Sequence, residues 1–142
     1  MTTGNGWIWL DGIDDFVKGK SVRAWKEWRA PFPGSYLVEF IAQAGAILLG
    51  AESDFTEDVI FTKVEGVQFL SRPQTGKRLD IEVEPGSLRR EGGWFLGRIF
   101  QEGNKIVEGR VLLMNVGRLR PDGNGPITFP QELVEGLRGH LV

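Results

Sequence analysis

The sequence predicts an α+β fold in which one long central helix is wrapped by an antiparallel β-sheet. The first observation is the segment Tyr36–Gly50, which is apolar nearly all round, as is typical of a helix buried on every side. The second is that the segments after it alternate apolar and polar residues, as half-buried antiparallel strands do. Because one chain would cover only half of such a helix, the pattern also predicts a dimer whose two sheets run edge to edge.

The length and composition indicate one domain over residues 1–142. The 20 glycines exceed the usual share of about 7% and form no short repeat, so they indicate turns and bulges. A net charge of −2 lacks the basic character of nucleic-acid binders. With no Cys and a single His, His140, the chain offers no thiol chemistry and no His cluster, so neither a metal site nor a cofactor is expected.

The amino terminus has neither the basic start nor the apolar run of a signal peptide. The longest apolar stretch, Phe40–Leu49, is interrupted by Gln43 and falls short of the ~20 residues that span a bilayer. We therefore expect no membrane span and a cytoplasmic location.

The helix has recognisable boundaries. Pro31, Pro33 and Gly34 break the chain before it, which favours Ser35 as the N-cap and Gly50 as the residue that ends the helix. Glu39 and Gln43 are the strongly polar residues within this segment. Their i, i+4 spacing places them on the same face.

The strands are predicted from alternation and turn signals on both sides of the helix. Before it, Val22, Ala24, Lys26 and Trp28 alternate with other residues after a turn at Gly19. After the helix, we expect a strand from Val59 with a bulge at Glu65-Gly66, and a second strand over Leu79–Glu84. A connection over Pro85–Gly93 leads to a hairpin of Trp94–Gln101 with Lys105–Asn115. The chain then forms a loop over Gly117–Gly125 and a short final helix after Thr128.

The string Phe32-Pro33-Gly34-Ser35-Tyr36-Leu37-Val38-Glu39-Phe40-Ile41-Ala42-Gln43 resembles the helix-opening motif of the β-hydroxyacyl-ACP dehydratases, in which a Pro-Gly precedes an acidic residue and an Ala-Gln pair at this spacing. The resemblance covers residues 7–116, and residues 117–142 look like an extension. It implies the hot-dog fold, a dimeric unit and a place in fatty-acid or polyketide-type biosynthesis.

The resemblance also implies site residues. Elimination of water from a 3-hydroxyacyl thioester needs a base, an acid and a donor to the thioester carbonyl. In that family the acid is the carboxyl at the position of Glu39, and the backbone N–H at the position of Gly34 polarises the carbonyl. The base is a His from the opposite subunit. Counting back by the family's spacing from Glu39 arrives at Trp25, whereas the preceding strand aligns better if a loop is deleted between Trp28 and Pro31. Neither alignment supplies a His.

Three further residues are predicted to contact substrate or shape its cleft. Gln43 would face the cleft beside Glu39, while Trp25 and Trp28 would fill the space of the family's catalytic loop. Each site residue also has a plainer interpretation. Glu39 could be a structural acid bonded to Gln43, Gly34 a turn glycine, and the tryptophans core or dimer packing.

Three functions remain open from the sequence. The chain could be the His-lacking half of a dehydratase heterodimer with a His-bearing paralogue, or a hot-dog thioesterase that uses Glu39 alone. It could also be an acyl-binding protein without catalysis. In each case the expected ligand is an acyl thioester of acyl carrier protein or CoA, bound by a homodimer or a heterodimer.

Overall fold

The computed structural model describes residues 10–117, and the predicted final helix and His140 lie outside them. Over this range one helix packs on a six-stranded sheet in the order β1-β2-β4-β5-β6-β3, with each strand antiparallel to its neighbours. The elements are β1 Gly12–Val17, β2 Ser21–Glu27, α1 Ser35–Glu52, β3 Val59–Phe69, β4 Arg78–Arg89, β5 Gly92–Gln101 and β6 Asn104–Asn115. The predicted α+β architecture is confirmed. Within residues 10–117, no helix has the length and apolar character to cross a membrane.

The helix is buried within the single chain. Every residue from Phe40 to Ala51 is buried, and these residues form one core with the inward-facing side chains of the sheet. The expectation that one chain covers half of the helix is therefore wrong. Burial of α1 alone does not require a second copy.

Glycines let the helix approach the sheet closely. A Cβ built on Gly97 of β5 would lie 2.2 Å from Cγ2 of Ile41, and one on Gly45 of α1 would lie 3.0 Å from Cδ1 of Leu113. A side chain at Gly97 would force Ile41 to move, because real Cβ atoms do not approach this closely. These contacts place α1 close against β5 and β6.

The helix boundaries differ from the prediction at both ends. Ser35 is the first helical residue, and the N-cap is Gly34, which has no side-chain cap. Gly50 does not end the helix, which continues to Glu52. The left-handed conformation expected of Gly50 is instead adopted by Asp54 (φ 53°) and Phe55 (φ 59°). The Phe55 N–H then donates to the Gly50 carbonyl at 2.7 Å, which closes the last turn.

The strands after the helix follow their predicted order along the chain with two corrections. They were expected to form a meander, but β3 pairs with β6 and not with the next strand, β4. The bulge at Glu65-Gly66 is confirmed by a register shift there and by φ +64° at Gly66. The Pro85–Gly93 connection is wrong, because β4 continues to Arg89 and β5 begins at Gly92. A bulge between Pro85 and Ser87 accommodates the proline in the middle of β4.

Candidate functional site

Glu39 lies on the second turn of α1, half-buried at the amino-terminal end of the helix. Its Oε1 accepts a hydrogen bond from Nε2 of Gln43, 3.4 Å away, and Gln43 is fully buried. Burial raises the pKa of the Glu39 carboxyl, and the hydrogen bond from Gln43 opposes that rise more weakly. A carboxyl with a raised pKa retains its proton closer to neutral pH, which suits it to act as a general acid or base.

Gly34 leaves an open approach to the start of the helix. Its φ of −58° suits any residue, and a Cβ built on it would meet nothing within 4 Å. Neither its backbone conformation nor its packing therefore requires glycine. The N–H groups of Tyr36 and Leu37 donate to the carbonyls of Pro33 and Gly34. Over residues 10–117, the N–H groups of Gly34 and Ser35 donate to no backbone carbonyl, so they can serve an acceptor at the positive end of the helix dipole.

Trp28 lies against the first turns of the helix in an aromatic cluster of Trp28, Phe32, Tyr36 and Phe40. The Trp28 ring is buried and meets Phe32 edge-to-face at 5.3 Å and Phe40 at 6.4 Å. Tyr36 lies 5.4 Å from Phe32 and 6.2 Å from Phe40. The structure thus brings Trp28 to the end of the helix that carries Gly34 and Glu39.

Trp25 lies on the opposite face of the sheet. Its neighbour Ala24 is buried under the helix, and side chains alternate between faces along a strand. The half-buried Trp25 ring instead carries the guanidinium of Arg78 at 5.0 Å, and Arg78 also pairs with Asp14. The structure therefore does not bring Trp25 together with Glu39 and Gly34.

The predicted site did not include Phe32, Tyr36 or Phe40. The i, i+4 spacing of Tyr36 and Phe40 indicated that they share a face of the helix. Phe32 precedes the helix, so its spacing carried no such signal. Lys26 was also missed as a neighbour of this site. Its ammonium lies 5.7 Å from the Phe32 ring centroid and 3.2 Å from a carboxylate oxygen of Asp11.

Over residues 10–117 no group of three or more His, Cys, Asp or Glu side chains is placed to hold a metal ion. Near the start of the helix, the groups suited to catalysis are the Glu39 carboxyl, whose pKa is raised, and the N–H groups of Gly34 and Ser35.

No protein-family model matches the chain. It is similar in sequence to curated 3-hydroxyacyl-acyl-carrier-protein dehydratases named FabZ. The FabZ of Thermomicrobium roseum is 35% identical over 81 residues, which are 56% of this chain and 54% of that protein. The FabZ of Nitratiruptor sp. is 27% identical over 131 residues, which are 77% of this chain and 87% of that protein. The chain spans about half the length of the Thermomicrobium relative that it matches.

Solved structures share the fold. The dehydratase heterocomplex ApeI:P from Xenorhabdus doucetiae superposes with a TM-score of 0.68 at 19% identity, over 78% of this chain and 84% of that chain. A hypothetical thioesterase from Streptococcus pneumoniae, solved with coenzyme A, has a TM-score of 0.62 at 13% identity, over 74% and 84% of the two chains. The predicted hot-dog fold is confirmed. The chain is a hot-dog protein whose sequence is similar to FabZ dehydratases.

Proposed function

We propose that this chain acts on 3-hydroxyacyl thioesters of acyl carrier protein or CoA, in the cytoplasm, as a dehydratase-type subunit of fatty-acid or polyketide-type biosynthesis. The observation that carries the proposal is the half-buried Glu39 carboxyl, with its raised pKa, on the helix that begins at the open amide of Gly34. The sequence similarity to FabZ dehydratases supports the same chemistry.

Glu39 and Gly34 supply two of the three groups that dehydration needs, the acid and the donor to the carbonyl. The neutral Glu39 carboxyl gives its proton to the leaving hydroxyl, which departs as water when the C3–O bond breaks. The Gly34 N–H donates to the thioester oxygen, where negative charge grows as the C2 proton is removed. The electron pair of the broken C2–H bond forms the C2=C3 double bond, and a base on another group takes the C2 proton.

That base is a His of a partner subunit in this proposal. The chain's single His is His140, and the aligned Trp25 cannot accept a proton. The Xenorhabdus fold neighbour is described as a dehydratase heterocomplex, which supports an assembly of unlike subunits. The test is reconstitution: mixing the purified chain with a His-bearing hot-dog paralogue from the same genome should produce dehydration that neither protein performs alone.

The edge strand β3 is the surface that we assign to the partner. It ends one side of the sheet and is exposed along most of its length, with Val64 42% and Phe69 57% exposed. An exposed edge of this length offers free backbone groups to another strand. If two copies pair antiparallel about Val64, Lys63 of each copy lies opposite Glu65 of the other, so the charges match.

Substituting Val64 with Lys should disrupt this pairing, because it places an unpaired positive charge at the centre of the interface. Light scattering at micromolar concentration should find the wild-type chain, or its complex with the paralogue, as a dimer and the V64K chain as a monomer. V17K is the matched control, since Val17 is 40% exposed on the opposite edge strand β1. Equal dimerisation of V64K and wild type would rule out this edge.

The role of the Gly34 amide can be separated from the role of its small size. Gly34→Pro removes the N–H at a φ that proline adopts, whereas Gly34→Ala keeps it. We expect G34P to lose about 10²–10³-fold in kcat, as when one oxyanion donor is removed, and G34A to keep most of the activity. Equal rates for G34P and G34A in a steady-state assay would exclude the amide as the carbonyl donor.

A thioesterase is the second candidate, favoured by the raised pKa of Glu39, which lets that residue act alone as a base toward water. The Streptococcus fold neighbour described as a hypothetical thioesterase was solved with coenzyme A, which supports such a ligand. Mass spectrometry distinguishes the two, because hydrolysis releases a free acid while dehydration removes one water. An acyl-binding protein without catalysis would instead raise its melting temperature with thioester and leave the thioester intact.

A further inference from the structure

The loop between β2 and α1, residues 28–34, leads to the amide of Gly34 and has few backbone hydrogen bonds within itself. Over the part of the chain that the structure describes, the one backbone bond within this loop runs from the Phe32 N–H to the Arg29 carbonyl, at 2.9 Å. On its helix side Gly34 is held by backbone bonds, from the Tyr36 and Leu37 N–H groups to the Pro33 and Gly34 carbonyls. On its loop side its position depends on side-chain contacts. Catalytic donors need to be held within about 0.5 Å of their productive position, so these contacts matter for chemistry.

Phe32 makes those contacts on several sides. Its ring lies 5.3 Å from Trp28 at an interplanar angle of 82°, and 5.4 Å from Tyr36 on the first turn of α1. The ammonium of Lys26 lies over the same ring at 5.7 Å. Phe32 thus joins β2 to the helix immediately before Gly34.

The groups around Phe32 are themselves fixed. The Lys26 side chain is 14% exposed and paired with Asp11, whose other carboxylate oxygen accepts the Glu27 N–H at 2.8 Å. The backbone of Trp28 is held on both sides, since its N–H donates to the Lys77 carbonyl and its carbonyl accepts the Gly76 N–H. A cation that is withdrawn from water interacts with an aromatic face more strongly than an exposed one.

We propose that Phe32 is a positioning residue, which acts through Gly34 by fixing the direction of its N–H toward the thioester carbonyl, and that Lys26 holds the Phe32 ring in place. This inference rests on the proposed function and assigns a residue to it. Phe32 does not contact the reacting atoms. Loss of the Phe32 ring leaves the Gly34 N–H in place but badly directed. Its hydrogen bond to the thioester oxygen is then weaker in the transition state, so kcat falls more than KM rises.

The experiment measures carbonyl polarisation directly. The probe is S-(2-oxopentyl)-CoA with ¹³C at its ketone, which can be neither hydrolysed nor dehydrated. Its infrared carbonyl band is recorded free and bound to the full-length chain. The wild type should shift the band to lower frequency, Phe32→Leu should lose most of that shift while still binding the probe, and Phe32→Tyr should restore it. In turnover, F32L should lose about 10–10²-fold in kcat.

Two further variants keep the test decisive. Phe100→Leu is the matched control, because Phe100 lies on β5 opposite Asp80, away from this loop, and its band shift should equal the wild type's. Lys26→Met keeps the ring and remains informative if F32L fails to fold. K26M alone should partly reduce the shift of the carbonyl band. Added to F32L, it should reduce the shift no further, because Lys26 and Phe32 act through one contact.

The outcomes separate the two proposals. A full band shift in both F32L and K26M, or no shift in the bound wild type, would overturn the positioning role while acyl binding stands. Failure of the wild type to bind this probe or any acyl thioester would overturn the proposed function itself.

Discussion

Substituting Glu39 with Gln is expected to lower turnover of acyl thioesters by about 10²–10⁴-fold, the usual contribution of a positioned proton-transfer group. Gln keeps the size of the side chain, and its amide oxygen can still accept from Gln43 at the 3.4 Å contact. The change therefore removes the titratable proton with little change in shape. The assay is steady-state turnover of a 3-hydroxyacyl thioester by the chain together with its partner subunit.

Glu52→Gln is the matched control, because it makes the same chemical change at the other end of α1, where the proposal places no chemistry. Its turnover should equal that of the wild type. Wild-type turnover by E39Q would exclude Glu39 both as the acid of a dehydration and as the base of a hydrolysis.

The same substitution should stabilise the fold at neutral pH. Because burial raises the pKa of Glu39 above its ordinary value of 4.5, the folded state binds that proton more tightly than the unfolded state does. Wild-type stability therefore falls as pH rises from 4.5 through the raised pKa. E39Q lacks this loss, so it should melt above the wild type at pH 7 and with the wild type near pH 4. The check is thermal melting of both chains across this pH range. If the pKa of the Glu39 carboxyl were not raised, the difference between their melting temperatures would be the same at every pH.

Substituting Gly97 with Ala is expected to destabilise the fold. The new Cβ would lie 2.2 Å from Cγ2 and 2.9 Å from Cγ1 of Ile41, atoms held close to the helix backbone by the branched side chain. Overpacking of this kind costs about 1–3 kcal/mol. Urea denaturation should find a lower midpoint for G97A, with the slope unchanged.

Two comparisons make the Gly97 prediction specific. Gly34→Ala, where a Cβ meets nothing within 4 Å, should leave the midpoint near the wild type's. In a double mutant with Ile41→Ala, the added cost of G97A should shrink, because the clashing methyl groups are gone. Wild-type stability of G97A would mean that the helix does not approach β5 this closely.

Much of the fold follows from local sequence patterns. The long apolar segment after Pro33-Gly34 predicts the helix, and the alternation of Leu79, Ile81 and Val83 predicts a half-buried strand, as the structure has them. The errors arise where long-range contacts override local signals. Gly50 stays helical since it is buried in the core, and Pro85 stays in a strand since a bulge absorbs it.

The site was predictable to the extent that it depends on spacing. The i, i+4 relation of Glu39 and Gln43 predicts their contact, which the structure contains. Strand alternation already separated Trp28 from Trp25, because Trp28 shares a face with Val22 and Ala24. The place of Phe32 could not be predicted, since it depends on how the β2–α1 loop folds back over Lys26.

Dehydration by this chain and a His-bearing partner is tested most directly by mass spectrometry. The two proteins are incubated with 3-hydroxyacyl and 2-enoyl thioesters, and the products are weighed. We expect a loss or gain of one water that needs both proteins and disappears with E39Q. Thioesters that stay unchanged in the presence of the partner, or products that form equally well with E39Q, would rule out dehydration by Glu39 of this chain.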